Sequence, residues 1–302
     1  MKNKYKELVL EAMASSLQLD FISLRFFPVV PFLPNSDCEL FSLFNIIPSK
    51  GFIFRTAGVP QFSATYWDIL QSQKSSFIIT TAIKSYENQH FWLTCGSSST
   101  PVYTPGYTDI SSSLENGSSF DFSFDSSDYP TFKDPLFPSY PNFVIDQTFL
   151  NFNETASGER FTLTAHFDKV ATIPVSAGGW FSNAAFVSAY KNQDSWTTGP
   201  GTVTWDSVFG TDGILQFITN GILVASGATF VIQSFGQYDS DMLNALKTSP
   251  ATAVWPLYLN GADTVPDFEL CTDGSIKITI TTAPSDILLL AMQVANVQSL
   301  MG

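Results

Sequence analysis

Polar and apolar residues alternate one by one through "SSFDFSF", with Phe120, Phe122 and Phe124 on one side and Ser119, Asp121, Ser123 and Asp125 on the other. A period of two predicts a strand with one buried face, here over 118–125. Burying each Phe is worth roughly 1.5–3 kcal/mol, so a one-residue slip is strongly disfavoured. The same alternation returns in "SIKITIT", where Ile276, Ile278 and Ile280 face away from Lys277, Thr279 and Thr281, and predicts a strand over 275–282. Each strand follows a turn-forming pair, Asn116-Gly117 and Asp273-Gly274. Each is followed by a proline, Pro130 and Pro284.

Gly117 and Gly274 are 157 residues apart, about half the chain. "SSFIITTAIKSYENQ" from Ser75 resembles "ATFVIQSFGQYDSD" from Ala228, and "ATYWDIL" around Trp67 resembles "TVTWDSVF" around Trp205. Their shared order predicts an internal duplication. The second half would carry an extra hairpin in "DGILQFITNGILVA", turning at Asn220-Gly221.

Short apolar runs bounded by Gly, Pro, Ser, Asn and Asp predict further strands: "LDFISLRFF", "ELFSLFNII", "GFIFRT", "FIITTAI", "FWLTCG", "NFVIDQTFLNFN", "RFTLTAHFD", "GTVTW", "ILQFIT", "ATFVIQSF" and "VWPLYL". Helical spacing is confined to "MKNKYKELVLEAMASS", "TAIKSYENQH", "SDMLNALK" and the apolar "SDILLLAMQVANVQSLM", which Ser285 or Asp286 can cap. The expected fold class is therefore all-β: two consecutive antiparallel jelly-roll-like sandwiches, a double jelly roll, with few short helices. Its divisions are an N-terminal arm or helix at 1–17, a first domain at 18–130, a Pro-rich linker at 131–142, a second domain at 143–284 and a C-terminal helix at 285–302. Pro130, Pro135, Pro138 and Pro141 would stiffen the connection.

The chain has 302 residues, 44% apolar and 15% aromatic with 28 Phe, but only 14% charged. Soluble domains usually carry roughly 25% charge, so a surface largely covered by neighbours is expected. With 14 Lys+Arg against 27 Asp+Glu the net charge is −13, which excludes direct nucleic-acid binding as an expectation. Three distant cysteines, Cys38, Cys95 and Cys271, argue for buried free thiols rather than a disulfide framework.

Catalytic chemistry is poorly supplied. His90 and His166 are the only histidines and lie in different halves, so triad and zinc-site patterns are not expected. No phosphate-binding, dinucleotide-binding or nucleophile-elbow motif occurs. Asp121, Asp125 and Asp128, and Asp239 with Asp241, read as solvated strand faces and a helix cap rather than a calcium or glycosidase site. Asn116 and Asn153 match the glycosylation pattern. Tyr103, Tyr107, Trp180 and Trp196 are expected in cores or interfaces. Neither catalytic residue, cofactor nor metal is expected. Trp180 and Phe181 in "AGGWFSNAAF" are the candidate subunit-interface residues, because neighbours in a strand face opposite ways.

Two β domains, a helix-like insertion after Phe77 and after Phe230, final strands at 118–125 and 275–282, and an apolar terminus resemble the double jelly-roll major capsid proteins of tailless, membrane-containing icosahedral viruses. The resemblance lies in layout across nearly the whole chain. It implies a non-enzymatic structural protein that forms homotrimers and packs into an icosahedral shell. It further implies minor capsid proteins and an internal lipid membrane, met by segments 1–16 and 286–301, as partners. The location would be the virion capsid, after synthesis in the host cytoplasm. The alternative is a β-rich carbohydrate-binding or pore-forming protein.

Overall fold

A computed structural model of the chain describes residues 4–27, 30–128, 160–197, 202–236, 238–247 and 266–301, with 144–145, 148–149, 199 and 252–253. The helices are α1 (Lys4–Ser16), α2 (Asp37–Phe44), α3 (Phe62–Gln71), α4 (Phe77–Glu87), α5 (Tyr107–Glu115), α6 (Asn183–Lys191), α7 (Trp205–Phe209), α8 (Ser240–Lys247) and α9 (Val297–Met301). The first strands are β1 (Leu24–Phe26), β2 (Trp92–Cys95), β3 (Ser98–Pro101), β4 (Tyr103–Thr104), β5 (Ser118–Asp125), β6 (Val144–Ile145) and β7 (Thr148–Phe149). The later ones are β8 (Phe161–Pro174), β9 (Ser176–Ala177), β10 (Phe217–Ser234), β11 (Thr252–Ala253), β12 (Asp267–Leu270), β13 (Ile276–Thr281) and β14 (Ile287–Asn296). With 35% helix and 34% strand the fold is mixed α and β, which overturns the all-β expectation.

Several expected strands are helices because a helical set of apolar positions is buried. In α4, Ile79 and Ala82 are buried and Ile83 and Tyr86 pack beside them, a 3.6-residue stripe. The Ser76 hydroxyl accepts from the Ile79 N–H at 3.3 Å and caps the start. The β-branched run Ile78–Thr81 favours a strand locally, and tertiary burial overrides it. In α2, Leu40, Phe41 and Phe44 form the buried side, with Asp37 and Glu39 in the first turn.

Strand β10, 18 residues long, is the axis of a seven-stranded sheet. Along one edge it pairs with β8. Along the other it pairs first with β14, through Phe217–Ser226, and then with β13, through Thr229–Ser234. Outside these lie β5 beside β8, β1 beside β14 and β12 beside β13, all antiparallel. Strands β1 and β5 come from before the Pro-rich 131–142 segment and the rest from after it. One sheet thus replaces the two consecutive sandwiches. Alternation told which face of β5 is buried, but not that its neighbour is β8, where Phe161 stacks on Phe124 at 5.5 Å. The 131–142 segment itself lies outside the described residues.

The C-terminal helix expected over 285–302 is also corrected. Residues Ile287–Asn296 form β14, and only Val297–Met301 are helical. Every residue from Ile287 to Met292 is buried, so the run is apolar because both faces of the strand are covered, not because it is a helix. Most of segment 286–301 is therefore a strand of the central sheet, with only its last five residues in α9. In α1, Val9, Leu10, Met13 and Ala14 are likewise buried against that sheet. Asn220-Gly221 is a bulge within β10, where the register to β14 shifts, and not a hairpin turn. Asn116-Gly117 is the exit of α5 rather than a turn between strands. Phe77 opens a helix whereas Phe230 sits mid-sheet, so the sequence echo between them has no structural counterpart.

Two cores lie on opposite faces of this sheet. Helices α2–α7 cover one face, with Phe44, Tyr66, Trp180 and Phe186 among its fully buried residues. The other holds α1, β1 and the Phe and Ile stripes of β5, β8 and β13. Gly227 sets their boundary. Its φ is +60°, and a Cβ there would fall on the Asp168 carboxylate. Before Gly227, Ile222 and Val224 face the helices; after it, Ala228, Phe230 and Ile232 face the second core. The strand thus changes which parity it buries, and β8 does the same around Asp168. The face covered by helices in the first half of β10 emerges in the second half as a polar face whose residues are exposed or half-buried.

Candidate functional site

That emergent face carries three rows across five strands. One is Asp121, His166, Thr229 and Thr281; the next is Ser123, Thr164, Val231, Thr279 and Asp267; the third is Asp125, Thr162, Gln233, Lys277 and Glu269. All are exposed or half-buried. The centre, formed by Thr164, Thr229, Val231, Gln233 and Thr279, is uncharged. Charge is confined to the two edges, on β5 with its β8 neighbour His166 and on β12 with its β13 neighbour Lys277.

The edge charges are paired. His166 Nδ1 lies 2.7 Å from Asp121 Oδ1, and Nε2 lies 3.4 Å from Asp168 Oδ1. Hydrogen bonding to Asp121, helped by its charge and by Asp168, raises the His166 pKa above the usual imidazole value against an opposing desolvation. A carboxylate thus stands against each ring nitrogen, so both point at acidic partners within the sheet face. Arg160 holds Asp125 in a bidentate ion pair, chiefly through hydrogen bonding, and pulls its pKa down to about 2. Lys277 and Glu269 pair at 3.7 Å. Asp128 adds its charge beside Arg160, and Asp241 stands in the first turn of α8. Among the described residues no group of three or more His, Cys, Asp or Glu side chains could hold a metal ion.

Trp180 and Phe181 are not placed as the sequence suggested. They lie in the bend before α6 rather than in a strand, and both pack into the helical-layer core, their ring centroids 5.8 Å apart. Trp180 is fully buried and donates its indole N–H to the Val102 carbonyl at 2.7 Å, so it has no surface to offer a neighbouring subunit. Tyr103 is also buried, inside a polar node: Asn45 Oδ1 accepts from the Tyr103 hydroxyl at 3.1 Å and from the Ser63 N–H at 2.8 Å. Tyr107 and Trp196 are half-buried against the same core. Among the described residues the most exposed large apolar side chain is instead Phe77, 86% exposed at the start of α4, with Ile78 beside it. Its helical setting hid it within an apparent strand.

The cysteine expectation is corrected too. Cys38 on α2 and Cys95 at the end of β2 form a disulfide, and Cys271 is free and half-buried. Spacing along the chain could not show that α2 lies against the β2–β3 hairpin. Asn116 is exposed at the end of α5, and Asn153 lies outside the described residues. Among the described residues no helix is long and apolar enough to cross a membrane.

No protein-family model matches the chain, and no curated protein matches it.

Proposed function

We propose that the chain is a non-enzymatic structural subunit that assembles with copies of itself, as a homotrimer packed into the shell of a virion. The observation that carries this reading is the five-stranded polar face, uncharged in its middle and charged at its edges. Protein interfaces have that anatomy, with charge depleted at the centre and retained on the rim. The charged fraction of 14% extends the same logic to the whole surface. Phe77, largely exposed, is the aromatic anchor that Trp180 cannot be. The double jelly roll no longer supports the shell reading; the composition and the face do.

The test is the mass and shape of the full-length protein by light scattering and electron microscopy, beside a Thr164→Lys, Val231→Lys variant. Trimers and larger closed particles are expected for the parent, and smaller species with unchanged circular dichroism for the variant. A parent that stays monomeric at high concentration, with melting unaffected by dilution, overturns the reading.

A further inference from the structure

Away from the sheet face, three aromatic rings from separate elements converge on one open depression. Trp67 of α3 stacks on Tyr86 of α4, centroids 4.7 Å apart and planes at 24°. Trp92 of β2 meets Tyr86 edge-on at 5.0 Å and 74°. The Trp92 indole N–H donates to the Tyr86 carbonyl at 2.7 Å, which fixes its orientation. Together with Glu87, Gln89 and Ser99 these rings line a depression of about 310 Å³. Ligand sites run from roughly 300 to 1,000 Å³, so this one suits a small ring or a short oligomer.

We propose that this groove binds a neutral carbohydrate, one pyranose ring lying against the Trp67 and Trp92 side chains. Three observations select that chemistry. The aromatic rings are half-buried, so each keeps surface for the apolar C–H face of a sugar. Glu87, Gln89 and Ser99 are exposed, and their side chains make no hydrogen bond with any described residue. They offer a carboxylate acceptor, a carboxamide that both donates and accepts, and a hydroxyl, which match sugar hydroxyls. No basic side chain lines the groove and the chain carries −13, so phosphate, sulfate and uronic acid ligands are disfavoured.

Two competing aromatic chemistries fail on geometry. A quaternary ammonium needs rings held apart around it, whereas Tyr86 touches both tryptophans directly. A flat heterocycle needs a slot between two rings, and the Trp67–Tyr86 slot is filled by their own stacking. The groove lies on α3, β2, β3 and the C-terminal end of α4, outside the polar sheet face and at the opposite end of α4 from Phe77.

The test uses full-length protein on an array of neutral mono- to tetrasaccharides, followed by saturation-transfer NMR with the best methyl glycoside. Tetramethylammonium and inorganic phosphate serve as competitors. Saturable binding is expected, with transfer strongest to the ring C–H protons. Trp67→Ala should abolish it, and Glu87→Gln or Gln89→Ala should weaken it at least five-fold, each with melting within a few degrees of the parent. Should Trp67→Ala fold poorly, the two rim variants, which touch no core, decide the matter. Absence of binding to every neutral glycan, binding indifferent to the rim variants, or displacement by tetramethylammonium or phosphate overturns the proposal. Assembly measured on the same variants should be unchanged, which separates this site from the sheet face.

Discussion

Two side chains show how single residues set local behaviour. Asn45 is buried, accepts from Tyr103 and the Ser63 backbone, and donates to the Ser63 hydroxyl at 2.9 Å. Replacing it with Ala strands those partners, and each buried group left unpaired costs roughly 1–3 kcal/mol. Asn45→Ala should therefore lower the urea midpoint without changing the slope, whereas Thr164→Ala on the open face should do neither. His166 answers to pH instead. Its folded pKa is raised by Asp121 first and Asp168 second, so its contribution is complete below the unfolded value near 6.5 and is lost as pH rises through the folded pKa. NMR titration should find the His166 ring titrating above the free value, and Asp121→Asn should move it down. An unchanged pKa in that variant would break the pairing argument. His166 and the Asp121 carboxylate were both visible in the sequence, but as strand positions in different halves. Nothing in their spacing placed them side by side.

At the scale of elements, Gly227 and the continuous strand β10 decide the architecture. A residue with a Cβ at φ +60° costs of order 1–3 kcal/mol, and here it would also push Asp168 aside. Gly227→Ala should destabilise the protein by at least that much and lower the His166 pKa by displacing its second carboxylate. If the melting temperature and the titration both hold, Gly227 does not set the change of face. The strands read from strict alternation, β5 and β13, were legible because one face is buried and the other open. The errors fall where that contrast vanishes. Ile287–Met292 is covered on both faces and offered no period to read. Asn220-Gly221 has the chemistry of a turn, but the pairing of β10 with β8 on one side and β14 on the other carries the chain straight through it. In α4, β-branched residues masked a helical stripe that only packing against α3 and α6 makes worthwhile. The aromatic groove was illegible for a related reason, since Trp67, Tyr86 and Trp92 meet through helix packing and a hairpin rather than through any motif.

At the scale of the whole molecule, two cores share one sheet, and this shapes how the protein unfolds. Strands β8, β10 and β14 contribute residues to both cores, so neither can melt and leave its half of the sheet intact. Two consecutive domains would separate on heating; a shared sheet predicts one cooperative transition. Trp67, Trp92, Trp180, Trp196 and Trp205 all belong to the helical-layer core, while the second core is built on Phe and aliphatic residues. Trp255 lies outside the described residues, so tryptophan fluorescence reports chiefly the helical-layer core while far-UV circular dichroism reports the whole, and the two melting curves should coincide. The Cys38–Cys95 bridge sharpens the test because it touches only the helical layer, tying α2 to the β2–β3 hairpin across a sequence separation of 57. Closing a loop of that length stabilises the folded state by roughly 4 kcal/mol through the unfolded chain. In a protein with independent halves, reduction would lower the fluorescence transition and leave part of the circular dichroism transition behind. With a shared sheet, a reducing agent or Cys95→Ser should shift both curves down together by several degrees. Curves that coincide when oxidised and separate when reduced would show that the two cores are held together by less than the strands they share.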